Sequence, residues 1–552
     1  MAEGKATTIY ELMQPVRCRC GGDVVVKIFE NQWFIDYGDP AWKRLAYDNL
    51  KEMEIIPTEL RTEFEHVIDW LKAKACARKA GIGTKLPWEP EWIIEALSDS
   101  TIYMAYYTVA EELKRLSPDP ATLGIDFWDY VFLGEGDVSK VSQSTGLSVE
   151  DLTRIREEFT YFYPLDCRHS GRDLIPNHLT FMIFNHVGIF PRELWPKGIA
   201  VNGSVLMEGQ KMSKSLNNII PLVNAIDRFG ADPLRLALMI TAEPLKDADF
   251  SQELAKTIQD NLDRFYSLSI EIARRDASDD VEPNEVDGWM LSRLQSYVKE
   301  ATEGMAELRV RKTIHAALYN LNLDMDWYMR RVGNTEKDKT REKTTRALKR
   351  RVLDAQVRML APFTPHLCEE IWEAMGCEDL VSFASWPKVN DGLFRPDLEE
   401  MESIVKASLE DVQNIIKVTG IKPKSITFYT ATGWKWKAYL KALELAARNQ
   451  LDVGTLIRNC FKDEDMKAMV REVPAFARSI VEDVKKSPAE TVKLRLNMGT
   501  LNEVKLLQDA SDFFASELGC EVTVASESDP WIKDPGKRAE RAKPYRPAIY
   551  VE

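Results

Sequence analysis

A lysine- and serine-rich loop reads NGSVLMEGQKMSKSLNN over residues 202–218. Two lysines, Lys211 and Lys214, and two serines, Ser213 and Ser215, come shortly after Gly209. A loop of this kind can close over a triphosphate, and its ammonium groups can neutralise the charge that develops as pyrophosphate leaves. Lysine suits this role because it is a mobile point charge on a flexible stem. The pattern therefore predicts a triphosphate-binding loop, and a solvated basic loop is the alternative.

The segment before this loop has the features of a ligand site at the end of a strand. Residues 163–186 read YPLDCRHSGRDLIPNHLTFMIFNH, in which a strand-like start leads through Gly171 and Asp173 into a helix-like run. Doubly wound sheets bind ligands where a strand ends and the next helix begins. The segment also holds three histidines: His169, His178 and His186. Their spacings match no i,i+4 ligand pair, so we expect no metal here.

A group of small polar residues interrupts an apolar run earlier in the chain. Residues 88–108 read WEPEWIIEALSDSTIYMAYYT and contain Ser98, Asp99, Ser100 and Thr101. Polar groups are costly to bury unless they are hydrogen-bonded, so this composition is typical of the wall of a small-molecule pocket. A helix N-terminus capped by Ser98 or Asp99 is the alternative, and both interpretations can hold at once.

The composition excludes several classes of protein. Of the 552 residues, 45% are hydrophobic and 29% are charged, which excludes a disordered or collagen-like chain. The net charge of −14 argues against a protein that coats nucleic acid over its whole surface, although a local basic face is compatible with it. No membrane span or secretion signal is predicted, and eight cysteines fit reduced thiols in a cytosolic protein. Cys18 and Cys20 lack the second close pair that a structural zinc site usually needs.

Helical patterns dominate the second half of the chain. Apolar residues recur along one helix face at Ile314, Leu318, Leu321, Met325 and Tyr328. Residues 327–351 hold ten Lys and Arg against three acids, which predicts a phosphate-contact face or else a solvated helix face. Residues 425–429 and 491–496 alternate like strands. Residues 533–546 hold six basic and two acidic residues.

The sequence resembles a known family of enzymes. The loop KMSKS at residues 211–215 is identical, letter for letter, to the signature of class I aminoacyl-tRNA synthetases. Within that class the chain most resembles leucyl-tRNA synthetases of the archaeal and eukaryotic-cytosolic type. Four further segments carry the resemblance: DYGDPAWK at 36–43, WIIEALSDSTIYMAYYT at 92–108, SGRDLIPNHLTFMIFNH at 170–186 and GADPLRLAL at 230–238.

This resemblance implies roles for particular residues. Lys211 and Lys214 would be catalytic groups that stabilise the transition state of adenylate formation, and Mg²⁺ would accompany the ATP. The ATP-binding residues would be Lys211, Met212, Ser213, Lys214 and Ser215. The leucine pocket would be formed by Leu97, Ser100, Tyr103, Asp173 and Leu174. Bacterial relatives have a histidine at the place of Leu174, and no structural metal is expected.

The resemblance also implies an α/β plus all-α architecture. We expect the C-terminal part of a Rossmann-type catalytic domain over residues 1–250, with an insert at about 110–165. A helical-bundle tRNA-binding domain of the anticodon-binding type would follow over 251–400. A small α/β C-terminal domain, a tRNA-binding module, would occupy 401–552.

Two parts of the family pattern are missing from this sequence. One is the His-Ile-Gly-His (HIGH) signature that binds ATP, and the other is the inserted editing domain. The chain therefore resembles the C-terminal part of the enzyme, as one subunit of a split enzyme or as a truncated product. A nucleotide-binding fold without its first strand–helix unit lacks one wall of the ATP crevice. We therefore expect leucine activation and transfer to tRNA(Leu) only together with an N-terminal partner carrying the HIGH motif and the editing domain.

Two rival functions remain open at this point. A synthetase fragment kept only for tRNA binding would have no use for the KMSKS loop, but it would explain the missing HIGH signature. Within the enzymes, specificity for isoleucine, valine or methionine is the rival to leucine.

Overall fold

The chain consists of two compact units. The computed structural model describes residues 9–18, 21–26, 28, 30–212, 218–244, 246–275, 283–335, 338–529 and 532–552. The first unit comprises Met1–Lys211 and Ala242–Asp249, and the second comprises Met212–Thr241 and Phe250–Glu552. The three expected regions, with boundaries near residues 250 and 400, stay a prediction. In the described part of the chain, no helix combines the length and the apolarity needed to cross a membrane.

A parallel sheet organises the first unit. The strands are β1 (Phe34–Asp36), β2 (Glu54–Ile56), β3 (Ala73–Ala75), β4 (Ala77–Arg78), β5 (Ile93–Ile94), β6 (Arg168–Gly171), β7 (Gly198–Asn202), β8 (Val205–Met207), β9 (Gln210–Lys211) and β10 (Ala248–Phe250). The parallel sheet has the order β2–β7–β6, with Ile55 beside Ile199 and Ser170 beside Val201. The first four residues of β7 are buried, as expected for a strand covered on both faces. This sheet confirms the predicted Rossmann-type fold class.

The helices of the first unit pack around an apolar central helix. They are α1 (Pro40–Glu52), α2 (Arg61–Trp70), α3 (Ala96–Asp99), α4 (Tyr103–Leu116), α5 (Ile125–Trp128), α6 (Val138–Thr145), α7 (Val149–Phe162) and α8 (Thr180–Ile189). Residues 181–184 of α8 are fully buried, because this helix is apolar all round. The indole N–H of Trp42 in α1 donates to the Phe184 carbonyl at 2.7 Å. Asp39 fixes the start of α1 by accepting from the Trp42 N–H at 2.7 Å.

The second unit is mainly helical in its described residues. Its helices are α9 (Leu222–Phe229), α10 (Ala231–Thr241), α11 (Gln252–Ala273), α12 (Glu285–Ala306), α13 (Val310–Ile314), α14 (Leu321–Val332), α15 (Lys339–Leu360), α16 (Pro365–Ala374), α17 (Pro396–Thr419), α18 (Gly433–Ala447), α19 (Val453–Cys460), α20 (Glu464–Lys467), α21 (Glu472–Lys486), α22 (Ala489–Met498), α23 (Glu503–Asp509) and α24 (Ser511–Leu518). The predicted helical bundle after residue 250 is confirmed as a fold. Three strands form one mixed sheet near the C-terminus: β11 (Ser425–Thr430), β12 (Glu521–Ser526) and β13 (Ala548–Val551).

The two strand predictions near the C-terminus have different outcomes. The strand predicted at 425–429 is confirmed as β11, which pairs in parallel with β12 and antiparallel with β13. The strand predicted at 491–496 is wrong, because these residues lie inside α22. Its alternating letters also place Val492 and Leu496 four residues apart on one helix face. Lysine, arginine and leucine are good helix formers, and Gly499 ends the helix with φ +67°.

Candidate active site

Three of the predicted pocket residues lie close together on α3 and α4. Leu97 is in α3, Ser100 follows its last residue, and Tyr103 begins α4. Leu97 and Tyr103 are half-buried and pack against the apolar core of the first unit. The interrupted apolar run therefore forms a short helix, a turn and the start of a second helix.

The start of α3 is capped by a residue other than the two predicted ones. Oε2 of Glu95 accepts hydrogen bonds from the N–H groups of Leu97 at 3.0 Å and Ser98 at 3.2 Å. The predicted cap at Ser98 or Asp99 is therefore wrong. Both residues lie within the helical turn, and Glu95 precedes it and reaches the first free N–H groups.

A buried histidine joins this group of side chains. Nδ1 of His178 lies 3.3 Å from the hydroxyl oxygen of Ser100, and its ring stacks at 6.5 Å, centre to centre, on Tyr103. The ring of Tyr103 also lies 5.2 Å from the guanidinium carbon of Arg168. A hydroxyl, a phenol, an imidazole and apolar carbon thus meet at one place, which is the composition of a pocket for a small amphiphilic molecule.

The surroundings keep the imidazole of His178 neutral. Burial lowers its pKa below the usual value, and the positive charge of Arg168 acts in the same direction. A hydrogen bond to the Leu97 backbone opposes these effects but does not reverse them. The neutral ring has one donor and one acceptor nitrogen, so it can orient a polar group without adding a charge.

From the sequence, His178 is weighed only as a metal ligand, and its place beside the pocket is missed. It lies on a π-helical turn, Ile175–Leu179, which leads directly into α8. The available signal was its position four residues after Leu174, about one helical turn further on. Leu174 itself is half-buried against the same core.

Asp173 lies at the carboxyl end of the parallel sheet. It is exposed in a short 3₁₀ turn, Arg172–Leu174, directly after β6. Its carboxylate folds back over Gly171, where a Cβ atom would come within 2.6 Å of Oδ1. A side chain at position 171 would therefore displace this carboxylate. The site matches the predicted place where strand β6 ends and a ligand can bind.

The KMSKS loop is only partly within the described residues. Lys211 ends β9, where it pairs with Leu206, and it is exposed. Met212 is half-buried. Ser213, Lys214 and Ser215 lie outside the described residues. The assignments of the ATP-binding and catalytic residues therefore stay predictions, as do those of the leucine pocket.

The described residues contain no group of three or more His, Cys, Asp or Glu side chains that could hold a metal ion. Cys20, one of the two cysteines weighed as zinc ligands, lies outside the described residues. His186 is fully buried in α8, and burial lowers its pKa to about 4. It hydrogen-bonds Tyr163 and the Met182 carbonyl, which accounts for it as a core residue.

Most of the described arginines in the basic segment 327–351 are bound to acidic side chains or backbone carbonyls of the protein itself. Four of its arginines form ion pairs: Arg330 with Glu517, Arg331 with Glu402, Arg341 with Asp287 and Arg346 with Glu342. Arg350 donates to the carbonyls of Ala273 and Met375. The segment as a whole is therefore a weaker candidate for phosphate contact than its composition indicates.

Comparison with known families identifies the class of the chain. The family described as tRNA synthetases class I (I, L, M and V) matches residues 22–251. The family described as anticodon-binding domain of tRNA ligase matches residues 287–428. The chain belongs to the class I tRNA synthetases.

Curated relatives match along the whole chain. Leucine–tRNA ligase of Methanosarcina barkeri is 43% identical over 548 residues, which are 99% of this chain and 55% of that protein. Leucine–tRNA ligase of Pyrococcus furiosus is 41% identical over 561 residues, covering 100% of this chain and 55% of the relative. The chain thus spans about half the length of the curated relatives it matches. Among solved structures, Mycobacterium tuberculosis methionyl-tRNA synthetase in complex with methionyl-adenylate has a TM-score of 0.47 at 17% identity, over 65% of each chain.

Proposed function

We propose that the chain is the C-terminal component of a leucine–tRNA ligase that acts in cytoplasmic translation. The observation that carries the proposal is 43% identity over 99% of the chain to a protein named leucine–tRNA ligase. The KMSKS loop and the cluster of Ser100, Tyr103 and His178 support it, because a pure RNA-binding protein needs neither. Its substrates would be leucine, ATP and tRNA(Leu).

The reaction would proceed in two steps. The leucine carboxylate attacks the α-phosphorus of ATP, the α–β phosphoanhydride bond breaks, and leucyl-adenylate and pyrophosphate form. A ribose hydroxyl at the tRNA 3′ end then attacks the carbonyl carbon, and AMP leaves. Lys211 and Lys214 would stabilise the charge that develops on the leaving pyrophosphate, and Mg²⁺ enters bound to the ATP.

In the predicted pocket, different residues would contact the aliphatic side chain and the ammonium group of leucine. The half-buried side chains of Leu97, Tyr103 and Leu174 offer apolar contact for an aliphatic side chain. Asp173 is an exposed carboxylate at the end of β6, suited to accept hydrogen bonds from an ammonium group. Neutral His178 would orient Ser100 beside them.

The proposal includes an N-terminal synthetase portion and two RNA-binding regions. Since the chain spans about half the length of its relatives, we propose an N-terminal synthetase portion that carries the HIGH motif and the editing domain. The helical region at 251–400 and the module at 401–552 would bind tRNA.

The test is leucine-dependent exchange of labelled pyrophosphate into ATP. It is run with this chain alone, with the separately expressed N-terminal portion, and with the mixture. We expect exchange only in the mixture, and a decrease of at least about a hundredfold in rate for Lys211→Ala or Lys214→Ala. Lys505→Ala, at an exposed lysine of α23, is the matched control. Preference for isoleucine, valine or methionine would refute leucine specificity. No exchange with tRNA binding retained would favour the non-catalytic binding protein.

A further inference from the structure

A pocket opens among three helices of the second unit. It lies between α11, α15 and the start of α14, which a π-helical segment, His315–Asn320, precedes. Its volume is about 330 Å³, near the lower limit of sites that bind small molecules. Much of its wall is apolar and includes Phe265, Leu268, Ile272, Leu318, Val352 and Leu353. An apolar body of modest size can therefore be buried here.

The π-helical segment is held in place along one side of the pocket. Nε2 of Gln356 in α15 donates to the Ala317 carbonyl and to Oδ1 of Asn322, both at 2.8 Å. Tyr319, which lies between these two acceptors in the chain, lines the pocket. Single π-helical turns are frequent at functional sites. The wall on this side thus has a fixed shape and an irregular backbone.

One cation of the pocket has no partner within the protein. Lys349 of α15 is half-buried, and its ammonium group forms no ion pair or hydrogen bond with any described residue. Burial lowers its pKa below the usual value. Glu271 acts in the opposite direction, but its carboxylate pairs with Arg275. Because a partly buried charge without a partner is unfavourable, an anion in the pocket would supply a missing interaction.

Two hydroxyl groups that line the pocket also lack partners. Ser269 of α11 is 1% exposed, and its hydroxyl makes no hydrogen bond within the described part of the chain. The phenol of Tyr319 makes none there either, and burial raises its pKa. Buried polar groups in folded proteins are nearly always hydrogen-bonded. These unused donors point to a ligand that brings hydrogen-bond acceptors into the pocket.

Two further charged side chains line the pocket from exposed positions. They are Arg264 of α11 and Asp326 of α14. Their opposite charges largely offset each other, and water screens both of them. The half-buried ammonium of Lys349 therefore decides the sign of the charge that the pocket accepts.

We propose that this pocket binds a small amphiphilic anion, a carboxylate on a short aliphatic or aromatic body. The carboxylate pairs with Lys349, the hydroxyls of Ser269 and Tyr319 are the neutral donors of the site, and the body packs on the apolar wall. The volume suits a small molecule, whereas a protein or an RNA partner would need a far larger surface. The inference does not rest on the proposed function, because none of these residues belongs to the candidate active site.

The test uses two fluorescent probes of similar shape on the full chain. Anilinonaphthalene sulfonate carries an anionic group, and phenylnaphthylamine is its neutral counterpart. We expect Lys349→Met to weaken binding of the sulfonate roughly tenfold, since a charge-assisted hydrogen bond is lost, and to leave binding of the neutral probe unchanged. Lys343→Met, at an exposed lysine of the same helix, is the matched control and should alter neither affinity by more than about twofold.

A second variant fills the pocket without changing its charge. Ser269→Met places a flexible apolar side chain at a position that lines the pocket, so it should weaken binding of both probes. Should this variant fail to fold, the comparison of the two lysine variants still decides the question. Lys349→Met removes a charge without a partner, so its thermal midpoint should equal or exceed that of the parent.

Competition identifies the chemical class of the ligand. Octanoate should displace the sulfonate probe and raise the thermal midpoint of the parent protein, because it binds the folded state. Octanamide, its neutral analogue, should do so much more weakly. Equal sulfonate affinities for the two lysine variants, or equal displacement by octanoate and octanamide, would overturn the anion site. Displacement by a tRNA transcript but not by octanoate would overturn it in favour of an RNA-binding surface.

Discussion

The hydroxyl oxygen of Ser100 lies 3.3 Å from Nδ1 of His178, although the two residues are 78 positions apart. This contact links the end of α3 to the turn before α8, next to the ring of Tyr103. We expect His178→Ala to raise the KM for leucine about tenfold, since a buried polar contact contributes roughly 1 to 3 kcal/mol when its partner is left unsatisfied. The measurement is leucine-dependent pyrophosphate exchange by this chain together with the N-terminal portion.

His169 provides the control for this variant. It lies on β6, nine residues away, and it is exposed. His169→Ala should leave the leucine KM within about twofold, because surface substitutions usually have small effects. A similar change in both variants would mean that His178 has no special place in the pocket.

The strand β6 and the turn that follows it could be predicted because their signals are local in the sequence. The only signal for His178 is its spacing of four residues from Leu174, and this signal is weak because the π-helical turn Ile175–Leu179 departs from the regular helical period. Arginines that form ion pairs within the protein set a second limit on prediction from sequence. The partners of Arg331 and Arg341, Glu402 and Asp287, lie far away in the chain, so charge counting cannot detect them. The helix α22 shows a third limit, since a short alternating pattern can fit either period.

A buried ion pair stabilises the helical part of the second unit. Asp287 is fully buried in α12, and Arg341 of α15 donates to both of its carboxylate oxygens. The Tyr328 hydroxyl donates to the same carboxylate at 2.6 Å. Arg341→Met would leave that charge without its cation, at a cost of about 3 to 5 kcal/mol. The free energy of unfolding in urea, followed by tryptophan fluorescence, measures this destabilisation.

Two further variants sharpen this prediction. Lys343→Met alters an exposed residue of the same helix and should change the free energy of unfolding by no more than about 0.5 kcal/mol. Asp287→Asn/Arg341→Met removes both charges and should recover part of the stability. The prediction fails if Arg341→Met unfolds like the Lys343 variant.

One carboxylate of α10 caps the start of α16. Oδ2 of Asp232 accepts from the Leu367 N–H at 2.7 Å, and Oδ1 lies 2.9 Å from Nδ1 of His366. Asp232→Ala should therefore destabilise the second unit by about 1 to 2 kcal/mol, the usual effect of removing a helix cap. Asp227→Ala, at an exposed residue of α9, should have almost no effect in the same urea titration. Equal midpoints for the two variants would contradict the capping role.

The carboxyl group of Glu503 makes stability depend on pH near neutrality. Burial raises its pKa from 4.5 to about 7, and hydrogen bonds from the backbone N–H groups of Tyr545 and Ala431 only partly oppose this. An acid with a raised pKa in the folded state contributes stability that is complete below the unfolded value and is lost as the pH rises through 7. The difference of about 2.5 pKa units corresponds to at most about 3 kcal/mol. Glu503→Gln removes this titration and should gain stability relative to the parent protein as the pH rises from 5 to 8. Thermal unfolding of both proteins across that range checks it, and a difference that stays constant with pH would show that Glu503 does not titrate there.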